Sequence, residues 1–239
     1  MKRQTQTRRK TSPKAVRQEW PITGPLSPLL GCLLFCVGLL SACSGGVAST
    51  VFAPGIELSK LELAAWPEAG PSTEGYVLEV SQDGEISRAQ LRGYVHQPLE
   101  RVMDALAEPA VVSNRRRVSE YTVSDDVETG YARSFRTHNV VKQIITVSFD
   151  VTWRQGPVMQ GEDVVGWMAS FQKTDGTTYI DHLSGSMVAM RANGEYTAIE
   201  LNTAISAVQS NTDDARQHLE DVWFNILAHC QQQPLPVFD

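Results

Sequence analysis

Residues 143–154 alternate with a period of two. Ile145, Val147, Phe149, Val151 and Trp153 occupy one phase, and Ile144, Thr146, Ser148, Asp150, Thr152 and Arg154 the other. One apolar and one mostly polar face predict an antiparallel strand with one side on a core and the other in water. Weaker versions of the pattern cover 121–127, 131–138, 164–173, 177–191 and 195–208, and a strand-like stretch runs from 86 to 95. Glu128-Thr129-Gly130, Asp175-Gly176 and Asn193-Gly194 supply turn chemistry between them. Asn-Gly is the strongest short hairpin signal in the chain. The order predicts a meander of antiparallel strands.

Two stretches switch to the helical period. Leu99, Val102, Met103 and Leu106 fall at i, i+3, i+4 and i+7, with Pro98 at the start and Pro109 as the stop. A second short helix is expected over 110–115. The longer stretch closes the chain: Ala215, Leu219, Val222, Trp223, Ile226, Leu227 and Cys230 form one stripe, Thr212 is the expected N-cap, and Asp213 and Asp214 stand in the first turn. Carboxylates there complement the helix dipole. Pro234 and Pro236 end it. A stripe this wide needs a large apolar surface, and the concave face of the sheet is the candidate.

Upstream of the strands lies an apolar run from 28 to 40. It follows a cationic segment holding Lys2, Arg3, Arg8, Arg9, Lys10, Lys14 and Arg17, and ends in Leu40-Ser41-Ala42-Cys43. Cationic region, apolar region and small residues come in the order of a secretory leader. An uncleaved membrane anchor needs about 20 apolar residues, more than this run holds. Leu40-Ser41-Ala42-Cys43 resembles the lipobox of bacterial lipoproteins. That resemblance implies a diacylglyceryl group on Cys43, removal of residues 1–42, and, with Ser44 following, an outer-membrane protein facing the periplasm. Residues 43–84, rich in Gly, Pro and Ser, read as a flexible tether with a short ordered piece around 56–66. The domain is expected over 85–232, with a tail at 233–239.

Loss of the leader shifts the charge. Seven of the 21 Lys and Arg precede Cys43 but only one of the 27 Asp and Glu, leaving 14 basic against 26 acidic residues, a net charge of −12. Such a surface repels nucleic acid. Cys32 and Cys36 leave with the leader and Cys43 is modified, so Cys230 stands alone, with no internal disulfide and a buried thiol expected. The five histidines show no ligand spacing, and phosphate-loop and nucleophile-elbow motifs are absent. No metal or cofactor is expected.

The element order of strand, helix, short helix, antiparallel strands and long C-terminal helix resembles the START-like helix-grip fold, also called the SRPBCC or polyketide-cyclase-like superfamily. The opening Tyr94-Val95-His96-Gln97-Pro98-Leu99, continuing to Leu106, is similar to the strand, proline and helix common there. The resemblance implies an α+β fold in which a curved antiparallel sheet grips the last helix around a cavity for a lipid or other hydrophobic small molecule. Expected liners are Phe135, Phe149, Trp153, Trp167, Met187, Met190, Ile199, Leu201, Trp223 and Leu227, each with ordinary core packing as the competing reading. Trp167 and Met168 cannot share a face, nor can Met187 and Met190, so strand register decides between them. Arg136, His138, Asp181 and His182 are the polar candidates for chemistry. Asp181 and His182 are strand neighbours pointing to opposite faces and form no dyad. The expectation is a lipid-anchored protein that binds or shuttles a hydrophobic molecule without chemistry. A structural lipoprotein with a filled core that docks an envelope protein is the second reading, and a cyclase-type enzyme the third.

Overall fold

The computed structural model describes residues 50–51, 56 and 58–238, apart from 126, 143, 209 and 210. The leader and Cys43 lie outside the described residues. Among the described residues nine strands and three α-helices follow one another: β1 (Thr50–Val51), β2 (Gly75–Asp83), β3 (Ile86–Val95), α1 (Leu99–Ala107), α2 (Pro109–Val112), β4 (Glu120–Asp125), β5 (Arg133–Lys142), β6 (Thr146–Gln160), β7 (Asp163–Gly176), β8 (Ile180–Arg191), β9 (Thr197–Ala207) and α3 (Thr212–Cys230). Eight of the strands form one antiparallel sheet in the order β2-β3-β9-β8-β7-β6-β5-β4, and β1 adds to the far end of β6. The sheet is curved, α3 lies along its concave face, and the architecture is the α+β helix-grip fold.

Alternation sets the two faces. Ala89, Leu91 and Val95 of β3, Ala169 and Phe171 of β7, Met187 and Ala189 of β8, and Ile199 and Leu201 of β9 face α3. Leu219, Val222, Trp223 and Ile226 of the helix complete this core. Trp223 lies directly on β3 because residue 93 is glycine: a Cβ there would stand 2.8 Å from the indole and 2.5 Å from the Gly75 carbonyl.

The opposite face is wet only in part: Arg136 and His138 of β5 stand exposed on it, as the alternation predicts, whereas toward β7 and β8 it is covered. Met168, Val188 and Met190 point to it and pack with Val158 and Ile56. Residues 58–66 lie across it as a strap. Gln90 Oε1 accepts from the amides of Leu63 and Ala64 while its Nε2 donates to the Leu61 carbonyl. Arg92 donates to the Ala64 carbonyl at 2.9 Å and to Glu200 at 2.6 Å, and Trp66 covers its guanidinium at 5.7 Å. A buried row of polar side chains thus satisfies the backbone of the strap, the condition for burying such a segment.

The 43–84 tether is therefore too long as read. Residues 75–83 form β2, paired along their whole length with β3 through a two-residue turn in which Gly84 has φ +60°. Tyr76, Leu78 and Val80 of β2 pack on the core. β6 begins at Thr146, leaving Ile144 and Ile145 exposed in the preceding loop, and continues past Arg154 to Gln160. Gly156 and Pro157 do not break it, because there it has run beyond its last β5 partner, Arg133 opposite Gln155, and such an edge tolerates proline. α2 spans Pro109–Val112 rather than 110–115: Pro109 ends one helix and starts the next, its missing N–H being no loss at a first turn. The N-cap of α3 is Asn211, not Thr212. Its side chain accepts from the amides of Asp213 and Asp214, and Asp214 accepts from the Asn211 amide in return, a complete capping box.

Candidate ligand cavity

The two halves of α3 treat the sheet differently. Its C-terminal half carries the large residues of the core, whereas its first turns present Asp214, Ala215 and His218. These cannot fill the concavity, and a cavity of about 400 Å³ remains between them and strands β5 to β9. That volume lies within the ordinary range of small-molecule sites.

β6 and β7 form its apolar wall through Val147, Phe149, Val151, Trp153 and Phe171, while β8 and β9 add Leu183 and Ile205. The Trp153 ring stacks between Phe135 at 5.6 Å and Phe171 at 4.6 Å. Phe171 can lie across β8 because its cross-strand partner is Gly185, where a Cβ would come within 2.3 Å of the ring. At the mouth Ile144 and Ile145, Tyr179 and Val208 come from three separate connections and are all exposed.

The polar part of the lining is confined. Thr137 and Asn139 of β5 bond each other, the Asn139 Nδ2 donating to the Thr137 carbonyl at 2.9 Å and to its hydroxyl at 3.0 Å. Arg117 and Asp214 form an ion pair at the edge. Four lining residues hold a buried polar atom with no partner among the described residues: Ser113 Oγ, Trp153 Nε1, Thr203 Oγ1 and His218 Nδ1. Burial lowers the His218 pKa to about 4, against the opposing pull of Asp221, so the ring is neutral at pH 7.

This has a measurable sign. The unfolded chain protonates His218 near pH 6.5 and the folded one only near 4, so stability falls as pH drops between those values, by on the order of 3 kcal/mol for this residue. His218→Gln is expected to flatten that part of the profile. Urea midpoints taken at pH 7 and pH 4.5 check it, and identical pH dependence in both proteins would remove the assignment.

Of the expected liners, Phe149 and Trp153 stand on the cavity wall. Phe135 is buried behind Trp153, and Met187, Ile199, Leu201 and Trp223 belong to the filled core under the second half of α3. Trp167 and Leu227 are half-buried at the margin of that core, and Met190 faces the strap. Val147 and Val151, in phase with Phe149, were within reach of the same alternation. His218 had a helical signal, three residues after Ala215 and four before Val222, which places it on the inward stripe.

The polar candidates lie elsewhere. Arg136 and His138 share Asp150 on the outer face, at 3.6 and 2.7 Å. Asp181 is exposed. His182 Nε2 meets Ser184 Oγ at 2.8 Å in a groove between the strap and the sheet. Among the described residues no third group orients that imidazole, and no cluster of metal-ligating side chains occurs. Cys230 is buried, and burial pushes its thiol up to about 11, far from a nucleophile's range.

No family model matches the chain and no curated protein is similar to it in sequence. Among solved structures it is similar to the human StarD13 lipid transfer and protein localization domain, with 12% identity over 70% of this chain and 94% of that one and a TM-score of 0.44. A Streptomyces aromatase/cyclase gives 14% identity, 62% and 94% coverage and 0.40. A Thermus thermophilus protein gives 13%, 61% and 97%, and 0.43. The helix-grip assignment rests on the strand order and on α3 itself. Sheet, helix and cavity together define a helix-grip domain with an internal apolar pocket.

Proposed function

We propose that this chain is a lipid-anchored envelope protein, modified at Cys43 and facing the periplasm from the outer membrane, whose helix-grip domain binds or shuttles a hydrophobic small molecule or lipid. The observation that supports binding is the cavity of about 400 Å³ with an apolar wall and an exposed apolar mouth. Burying such a ligand removes apolar surface from water on both sides, at about 25 cal/mol per Å². A docking protein needs no such cavity, and the carboxylate in its lining, Asp214, is held by Arg117. The anchor is supported by the lipobox-like Leu40-Ser41-Ala42-Cys43 behind its cationic and apolar segments.

Mass spectrometry of the protein extracted from membranes tests both parts. Under denaturing conditions the expected mass is that of a chain beginning at Cys43 and carrying acyl groups. Under native conditions a co-purifying molecule recoverable by organic solvent is expected. An unmodified N-terminus overturns the anchor, and ligand-free protein that also fails to take up a neutral hydrophobic dye overturns the binding function.

A further inference from the structure

The charge around the cavity defines the head group it accepts. Arg117 and Asp214, the charged side chains of the lining, are paired with each other, and the second oxygen of Asp214 is held by the Asn211 amide. The positive end of α3 is likewise engaged, the Asp213 and Asp214 amides being bonded to Asn211 Oδ1. Arg116, close by in sequence, is held by both oxygens of buried Asp221 at 3.0 Å. A buried carboxylate or phosphate would find no free counter-charge among these groups, and an unpaired buried charge is strongly disfavoured. Uncharged hydrogen-bonding capacity is present instead. Ser113, Thr203 and His218 each bear a buried polar atom without a partner among the described residues, and His218 is more than nine-tenths buried. All three residues line the cavity, but these atoms are covered as the side chains stand, so meeting a head group requires the side chains to turn.

We propose that the cavity takes an uncharged amphipathic molecule, an apolar body with a hydroxyl or carbonyl head met by Ser113, Thr203 and His218, in preference to the acid or phosphate of the same chain. This rests on the binding function proposed above and names its ligand class.

The test loads the purified protein with the neutral dye Nile red and displaces it with dodecan-1-ol or dodecanoate, both below micelle formation, at mildly alkaline pH. The alcohol is expected to act at a concentration at least about tenfold lower. Equal or better displacement by dodecanoate overturns the proposal. Thr203→Val combined with Ser113→Ala is expected to weaken the alcohol about fivefold relative to the variant's own Nile red affinity, the loss being one hydrogen bond. The same variant is expected to melt a few degrees higher, because a buried unpartnered hydroxyl has been removed. Unchanged alcohol affinity overturns the proposal as well. If Nile red does not bind at all, it is the binding function beneath it that fails.

Discussion

Arg92→Leu is expected to destabilise the domain by about 3–5 kcal/mol, enough to leave a protein of ordinary stability largely unfolded. The side chain is 9% exposed and its partner Glu200 2%, so the substitution strands a carboxylate inside the protein. Asn202 still donates to the other oxygen of Glu200 at 3.0 Å but brings no charge. Arg92 also holds the strap through the Ala64 carbonyl. The double variant Arg92→Leu/Glu200→Leu removes both charges and is expected to recover most of the loss, because an apolar pair of similar size often replaces a buried ion pair at little cost. What it does not recover is the strap, so limited proteolysis should cut between residues 58 and 66 in a double variant that is otherwise folded. Chemical denaturation of the three proteins decides the matter. A single variant within 1 kcal/mol of the parent would show that water reaches Glu200.

The second large effect is expected at Trp223→Ala, at about 3–5 kcal/mol. The indole is 2% exposed and rests on the bare backbone of Gly93, with the Tyr76 ring 5.1 Å away. Glycine has no side chain that could move in, and β3 is held by β2 on one side and β9 on the other, so the void cannot collapse. Differential scanning calorimetry gives the loss directly. Binding should survive in whatever fraction stays folded, since Trp223 lies outside the cavity; loss of binding in proportion greater than loss of fold would mean that the two halves of α3 are not independent.

Sequence periodicity revealed most of the sheet and both longer helices, because alternation and the 3.6 repeat report which side chains face a core. It misjudged the region before β3. Residues 75–83 alternate as well as several strands that were recognised, but the prolines and glycines around them suggested a linker. The strap leaves no periodic trace at all: its backbone is held by Gln90 and Arg92, more than twenty residues away, and only the register of β3 brings them to it. The cavity was legible as a consequence of a bent sheet and one helix, yet its position was not. Which half of α3 fills the concavity depends on residue size, and Ala215 and His218 against Leu219, Val222 and Trp223 is a contrast that an inward stripe alone does not weigh. Polar liners escaped for a related reason. Thr203 and His218 sit in phases occupied by apolar neighbours, and their lack of partners is a property of packing in three dimensions.

The pairing of β1 with the end of β6 sets a leash. If Cys43 carries the proposed acyl chains, the chain from there to Thr50, which pairs with Gln160, spans at most about 25 Å. The pinned point and the mouth are at opposite ends of β6, since Ile144 and Ile145 precede its first residue and Gln160 is its last, and the fifteen residues of the strand separate them by about 45 Å. If the proposed anchor holds, a domain standing upright on so short a leash would hold its opening away from its own bilayer, so the proposed ligand would be exchanged with a partner met there; only a domain lying on its side would return its opening to the lipid beneath.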